Sequence, residues 1–66
     1  MKKMTIGEKI RSRRKFLELS QEKLADKAGI SALTIVRVEN GQFEPKLKTL
    51  RALSKALSLE VEELVG

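Results

Sequence analysis

The stretch SQEKLADKAGISALTIVRVENG, Ser20 to Gly41, decides the fold. A serine hydroxyl accepts one of the free backbone N–H groups at a helix start, so Ser20 is suited to cap one. Leu24, Ala25 and Ala28 then fall on one face of a helix over Gln21 to Ala28. Gly29 tolerates the positive φ that commonly ends a helix. Only Ile30 separates it from Ser31, a further cap. A second helix, Ala32 to Asn40, carries Ile35 and Val38 on its inner face, and Gly41 stops it in turn.

Toward the N-terminus, Thr5-Ile6-Gly7-Glu8 fits a capping box. Ile6, Ile10 and Leu17 recur at helical spacing and predict a helix over Ile6 to Glu18. Toward the C-terminus, Gln42 to Pro45 reads as a loop, because the residue before a proline is biased away from helix. Leu47, Leu50, Leu53, Ala56 and Leu57 mark a helix over Lys46 to Leu57, broken at Ser58-Leu59-Glu60. A last short helix, Val61 to Val65, has Glu60, Glu62 and Glu63 near its start, where the helix dipole favours negative charge. No strand alternation, internal repeat or low-complexity tract interrupts this pattern. The expected class is all-α, a compact five-helix bundle in one domain over residues 1–66, without a linker.

Composition narrows the function. A chain of 66 residues buries only about 60% of its unfolded surface, so its core is marginal. It has no cysteine and no histidine, which excludes disulfides and the usual zinc ligands. No metal, cofactor or small-molecule ligand is expected. Gly7, Gly29, Gly41 and Gly66 are scattered and form no phosphate-binding loop. Without a preorganised catalytic constellation, no enzyme is expected. Met1-Lys2-Lys3 leads into no apolar run, and no segment approaches the roughly 18 apolar residues of a membrane span. The expected location is the cytoplasm, with which a cysteine-free chain is compatible.

The net charge is +5, and it is unevenly spread. Lys2 to Lys15 holds seven basic residues against one acidic residue, Glu8, whereas Ala56 to Gly66 holds three acidic residues and no basic one. One face is expected to be electropositive, as a polyanion partner requires. Two short helices joined by a tight glycine-containing turn have the form of a helix-turn-helix, here about residues 20–41, made by helices two and three. In that motif the second helix enters the major groove of DNA. Nine residues, 32–40, make a helix about 13 Å long, against a groove about 12 Å wide.

The chain resembles the Cro/repressor-type, XRE-like helix-turn-helix family. Ser20-Gln21, Leu24-Ala25, Gly29-Ile30-Ser31, Thr34-Ile35 and Arg37-Val38-Glu39-Asn40-Gly41 carry the resemblance. Pro45, Leu50, Ala56-Leu57 and Glu63-Leu64 continue it, so that it covers about Ile6 to Val65. It implies a phage-repressor-type DNA-binding domain, double-stranded DNA as partner, and sequence-specific transcriptional regulation, with repression as the expected sign. The alternative is an antitoxin-like or restriction-modification controller protein that also binds a protein partner.

The resemblance also assigns roles. Ala32, Leu33, Val36 and Arg37 match base-facing positions. Ser20, Gln21, Ser31, Thr34, Asn40, Lys9, Arg13, Lys46 and Lys48 are expected to reach the DNA backbone, with Gln21 also bracing the recognition helix. Ile30 matches a residue that plugs the core, and Ala25 one that lets two helices approach. Three roles are open to Arg37: a bidentate contact to guanine, a phosphate contact, or an internal pair with an acid. Ala32, Leu33 and Val36 depart from the polar residues frequent in relatives and point to thymine methyl groups. Arg14 and Glu39 match a pair joining the first helix to the end of the recognition helix. Leu59, Val61, Leu64 and Val65 are expected to form a homodimer surface. Ser58 sits where relatives often have glycine. Phe43 packs on the fourth helix or leans on the DNA backbone.

Overall fold

The computed structural model describes residues 3–66. Among them are five helices, α1 (Ile6–Phe16), α2 (Gln21–Ala28), α3 (Ala32–Glu39), α4 (Leu47–Ala56) and α5 (Val61–Val65), and no strand. Hydroxyl groups start the first three. The Thr5 hydroxyl accepts the Glu8 N–H at 3.1 Å while the Glu8 carboxylate accepts the Thr5 N–H at 2.7 Å, a reciprocal capping box. Ser20 Oγ and Ser31 Oγ accept the N–H groups of Lys23 and Thr34 at 3.0 and 3.1 Å. At α5 the Glu63 carboxylate accepts the Glu60 N–H at 2.9 Å.

Helices α1 to α4 all end in the same way. After α1, the Glu18 N–H donates to the Lys15 carbonyl and the Leu19 N–H to the Arg14 carbonyl. The same pair of bonds closes α2 through Gly29 and Ile30, α3 through Gly41 and Gln42, and α4 through Ser58 and Leu59. This is the Schellman arrangement, which satisfies carbonyls that a helix end leaves free. The pivotal residue is left-handed each time, with φ of 58° at Glu18, 72° at Gly29, 75° at Gly41 and 57° at Ser58. Glycine adopts this conformation without steric cost. Glu18 and Ser58 adopt it against a cost of roughly 1–2 kcal/mol for an L-residue.

The ends correct the expected boundaries. The first helix stops at Phe16 with Leu17 as its cap, so Glu18 lies outside it rather than closing it. Asn40 caps α3, and Lys46 and Leu57 cap α4, shifts of one residue each.

Each helix contributes to one core. Ile10, Leu24, Ile35, Leu53, Leu57 and Leu64 are fully buried, joined by Ala25, Val38, Leu50 and Ala56. Ile6, Leu17, Ala28, Ile30, Ala32 and Leu59 pack around the edge. Ile30 therefore plugs the core as expected, and Ala25 lies buried on α2, which packs against α3. Two expected placements change. Leu47 is half exposed at the first turn of α4. Leu64 lies wholly in the core, where it has no surface to offer a second subunit.

Helix α3 is flanked by α1 and α2, while α4 packs on α2 and α5, and α5 on α1. Among the described residues no helix is long and apolar enough to cross a membrane. Among them, too, no cluster of three or more histidine, cysteine, aspartate or glutamate residues could hold a metal ion.

Candidate nucleic-acid interface

Helical periodicity divides α3 into two faces. Ile35, Val38 and Glu39 point inward and are buried. Leu33 is 55% exposed, Arg37 is exposed, and Val36 and Thr34 are half-buried. Ala32 is half-buried and packs against the core edge, so it is less open than its match to base-facing positions implies. Arg37 makes no ion pair or side-chain hydrogen bond among the described residues. Of its three open roles, the internal pair with an acid therefore finds no partner. The eight residues of α3 span about 12 Å, the width of the major groove (about 12 Å).

One buried carboxylate sets the orientation of this helix. The Glu39 side chain is fully buried and accepts four hydrogen bonds. Arg14 donates through Nε to Oε2 at 2.7 Å and through Nη2 to Oε1 at 3.1 Å. Gln21 Nε2 donates to Oε1 at 3.1 Å, and Arg11 Nε to the same oxygen at 3.2 Å. Arg14 also donates through Nη1 to the Leu19 carbonyl at 2.9 Å. Burial pushes the Glu39 carboxyl pKa up, but hydrogen bonds from Arg14, Gln21 and Arg11, with the nearby Arg14 charge, outweigh it and hold the group below its ordinary value. The expected pair of Arg14 and Glu39 is thus present within a larger cluster that joins α1, α2 and α3.

The face of α1 that meets this cluster carries Gly7, Arg11 and Arg14 at i, i+4 and i+7. Gly7 is buried where α1 crosses the end of α3. A Cβ there would collide with the Val38 carbonyl oxygen and lie 2.9 Å from that of Glu39. Only a glycine lets the two backbones approach so closely.

The residues expected at the DNA backbone fall into three groups. Ser20 caps the start of α2, and Ser31 and Thr34 stand at the start of α3 with their hydroxyls 2.9 Å apart. Gln21 is half-buried at the start of α2, with one amide N–H committed to Glu39. Asn40, Lys46 and Lys48 are exposed on the segment leading from α3 into α4. Lys9 is half-buried on α1. Arg13 is engaged elsewhere: its Nε donates to the Leu57 carbonyl at 3.0 Å, and its guanidinium lies 5.0 Å from the centre of the Phe16 ring. Phe43 lines a shallow depression with Thr5, Ile6, Gly7, Val38 and Pro45. Phe43 thus lies beside the start of α1 and the end of α3.

Comparison with known proteins agrees with this geometry. The sequence model of the helix-turn-helix family matches residues 10–64, from α1 into α5. The chain belongs to the helix-turn-helix family. Its Cro/repressor-type, XRE-like character, inferred from the motifs above, holds. Within the family, the chain is 38% identical over 63 residues to the immunity repressor protein of Bacillus phage phi105, covering 96% of this chain and 44% of that protein. It is 48% identical over 56 residues to the HTH-type transcriptional regulator DicA of Escherichia coli, covering 85% and 42%. The chain thus spans less than half the length of either relative. A crystal structure of the c2 repressor protein of Salmonella phage P22, in complex with a synthetic operator, superposes with a TM-score of 0.89. It is 39% identical, over 94% of each chain. The fold is therefore that of the phage-repressor DNA-binding domains.

Sequence reasoning missed one member of the cluster, Arg11, and the glycine beside it, Gly7. Arg11 sits one turn before Arg14 on the same face, and that i, i+3 spacing was the available signal. Gly7 carried none, because a close backbone approach becomes visible only once the partner helix is placed.

Proposed function

We propose that this chain is a sequence-specific, double-stranded-DNA-binding transcriptional repressor acting as one domain, without catalysis, on DNA in the cytoplasm. The observation that carries this reading is the outward face of α3: exposed Leu33 and Arg37 on a helix of groove length, held by the Glu39 cluster. The relatives named as repressors, and the operator complex of one of them, support it and favour it over a protein-sequestering role.

In the proposed complex α3 lies in the major groove. Arg37 pairs with guanine O6 and N7, worth about 1–3 kcal/mol of discrimination. Leu33 and Val36 rest against thymine methyl groups, and Ala32 allows close approach at the start of the helix. Ser20, Gln21, Ser31, Thr34, Asn40, Lys9, Lys46 and Lys48 meet phosphates on either side. Arg13 is left out of this set, since its guanidinium is held at the junction of α1 and α4. A homodimer would use Leu59, Val61 and Val65, of which Val65 is half exposed and the other two half-buried. Two such subunits place their recognition helices about one helical turn apart, roughly 34 Å, on a palindromic site.

The test is selection from random duplexes, followed by binding to the winning site with its thymines replaced by uracil. The expected result is an enriched palindromic site, a marked loss of affinity on removing the methyl groups, and relaxed preference at one guanine in Arg37→Ala. No enrichment over bulk DNA overturns the sequence-specific reading. Unchanged affinity on uracil removes Leu33 and Val36 from the reading face.

A further inference from the structure

Asn40 caps α3 at the end where helix carbonyls gather partial negative charge. A phosphate approaching that end is repelled unless a donor stands in front of the carbonyls. The Asn40 side chain could present either its amide nitrogen, which donates, or its oxygen, which only accepts. Phosphate oxygens accept, so only one of the two orientations is useful.

Arg11 removes the choice. Its Nη2 lies 3.0 Å from Asn40 Oδ1. A guanidinium has five donors and no acceptor, so the Asn40 atom facing it has to be the oxygen. That turns Nδ2 and its two N–H groups to the opposite, open side. Arg11 is itself held, because its Nε donates to the buried Glu39 carboxylate, which Arg14 and Gln21 also bind. A continuous chain of contacts therefore runs from the buried cluster to the exposed end of the recognition helix.

We infer that Arg11 is a positioning residue for DNA binding, orienting the Asn40 amide so that its donors meet a phosphate. The inference rests on the proposed DNA-binding function. The Arg11 side chain is 42% exposed, so it must be distinguished from a direct phosphate contact.

Salt titrations of binding to a mixed-sequence duplex DNA make that distinction, using wild type, Arg11→Gln, Asn40→Ala and the double variant. Fixing one side chain is worth about two- to tenfold in affinity, and each single variant is expected to lose that much. The double variant is expected to bind no more weakly than Asn40→Ala. Asn40 is neutral, so the log–log salt slope of Arg11→Gln should stay within about 0.3 of wild type, whereas losing a phosphate contact lowers it by about 0.9. Arg11→Lys keeps a charge beside Glu39 but cannot reach both partners. It should fold like wild type, bind as weakly as Arg11→Gln, and shift the Asn40 side-chain amide resonance in the absence of DNA. A slope change near 0.9, losses that simply add in the double variant, an unmoved amide resonance in Arg11→Lys, or unchanged binding by Asn40→Ala overturns the inference while leaving the DNA-binding function intact. A wild-type protein that binds no duplex overturns both.

Discussion

Replacing Glu39 by glutamine preserves the shape of the side chain and removes its charge. Four donors converge on the carboxylate, three on Oε1 and one on Oε2. A glutamine has one oxygen and one NH2, so in either orientation its NH2 faces at least one N–H donor. If the NH2 takes the Oε2 position it opposes Arg14 Nε, whose bond is the shortest of the four. One charge-assisted bond is then lost, worth about 1.5–3 kcal/mol. Arg14, only 11% exposed, is also left without a countercharge. Removing one partner of a buried pair costs about 3–5 kcal/mol in total. Arg11 adds little to this, because its exposed guanidinium is screened by water. Domains of this length have a total stability of about 3–10 kcal/mol, so the variant loses a large share of it. At about 4–8 °C per kcal/mol, the melting midpoint should fall by roughly 12–40 °C. Thermal and urea unfolding followed by circular dichroism at neutral pH would measure this. An exposed pair is worth at most about 1 kcal/mol. A midpoint within about 8 °C of wild type, with an unchanged urea m-value, would refute the assignment of a buried, stabilising cluster.

Three further outcomes are expected. The pKa of Glu39 is lowered in the folded state, so its contribution is fully present above the unfolded glutamate value (about 4.3) and is lost as pH falls through the depressed native value. Acid unfolding of Glu39→Gln should therefore lack that part of the pH dependence, and parallel acid titrations of the two proteins would reveal its absence. Gly7→Ala gains about 0.8–1.0 kcal/mol of helix propensity yet drives a methyl into the Val38 and Glu39 carbonyls. Overpacking costs about 1–3 kcal/mol, which leaves a net destabilisation of up to about 2 kcal/mol after that gain, and a variant that melts higher than wild type would show that α1 and α3 separate freely. Ser58→Gly and Glu18→Gly relieve left-handed residues, and each should raise stability by up to about 1 kcal/mol once the greater freedom of glycine in the unfolded chain is deducted. Urea midpoints of the two variants would check this.

The helix starts were legible because each of the first three is marked by a hydroxyl residue whose chemistry is local. The stops at Gly29 and Gly41 were legible for the same reason. The stop after Phe16 was not, since Glu18 performs there the backbone turn that a glycine would have announced. Leu64 was misplaced because a valine-leucine-rich terminal helix looks alike whether it closes a core or offers a surface. Within the candidate interface, the pairing of Arg14 with Glu39 was visible through resemblance. So was the bracing role of Gln21, which donates to the same carboxylate; that Arg11 reaches it as well depends on how α1 and α3 cross, which the spacing along α1 does not encode by itself.

The two faces of α3 have a consequence for how such a protein changes. Folding draws on Ile35, Val38 and Glu39, and contact with a partner would draw on Leu33, Val36 and Arg37. The two sets do not overlap. Substitutions on the outer face are therefore free to alter what is recognised with little effect on whether the chain folds. One scaffold can in this way be retargeted residue by residue, each intermediate remaining a stable protein, as long as the inward set is left alone.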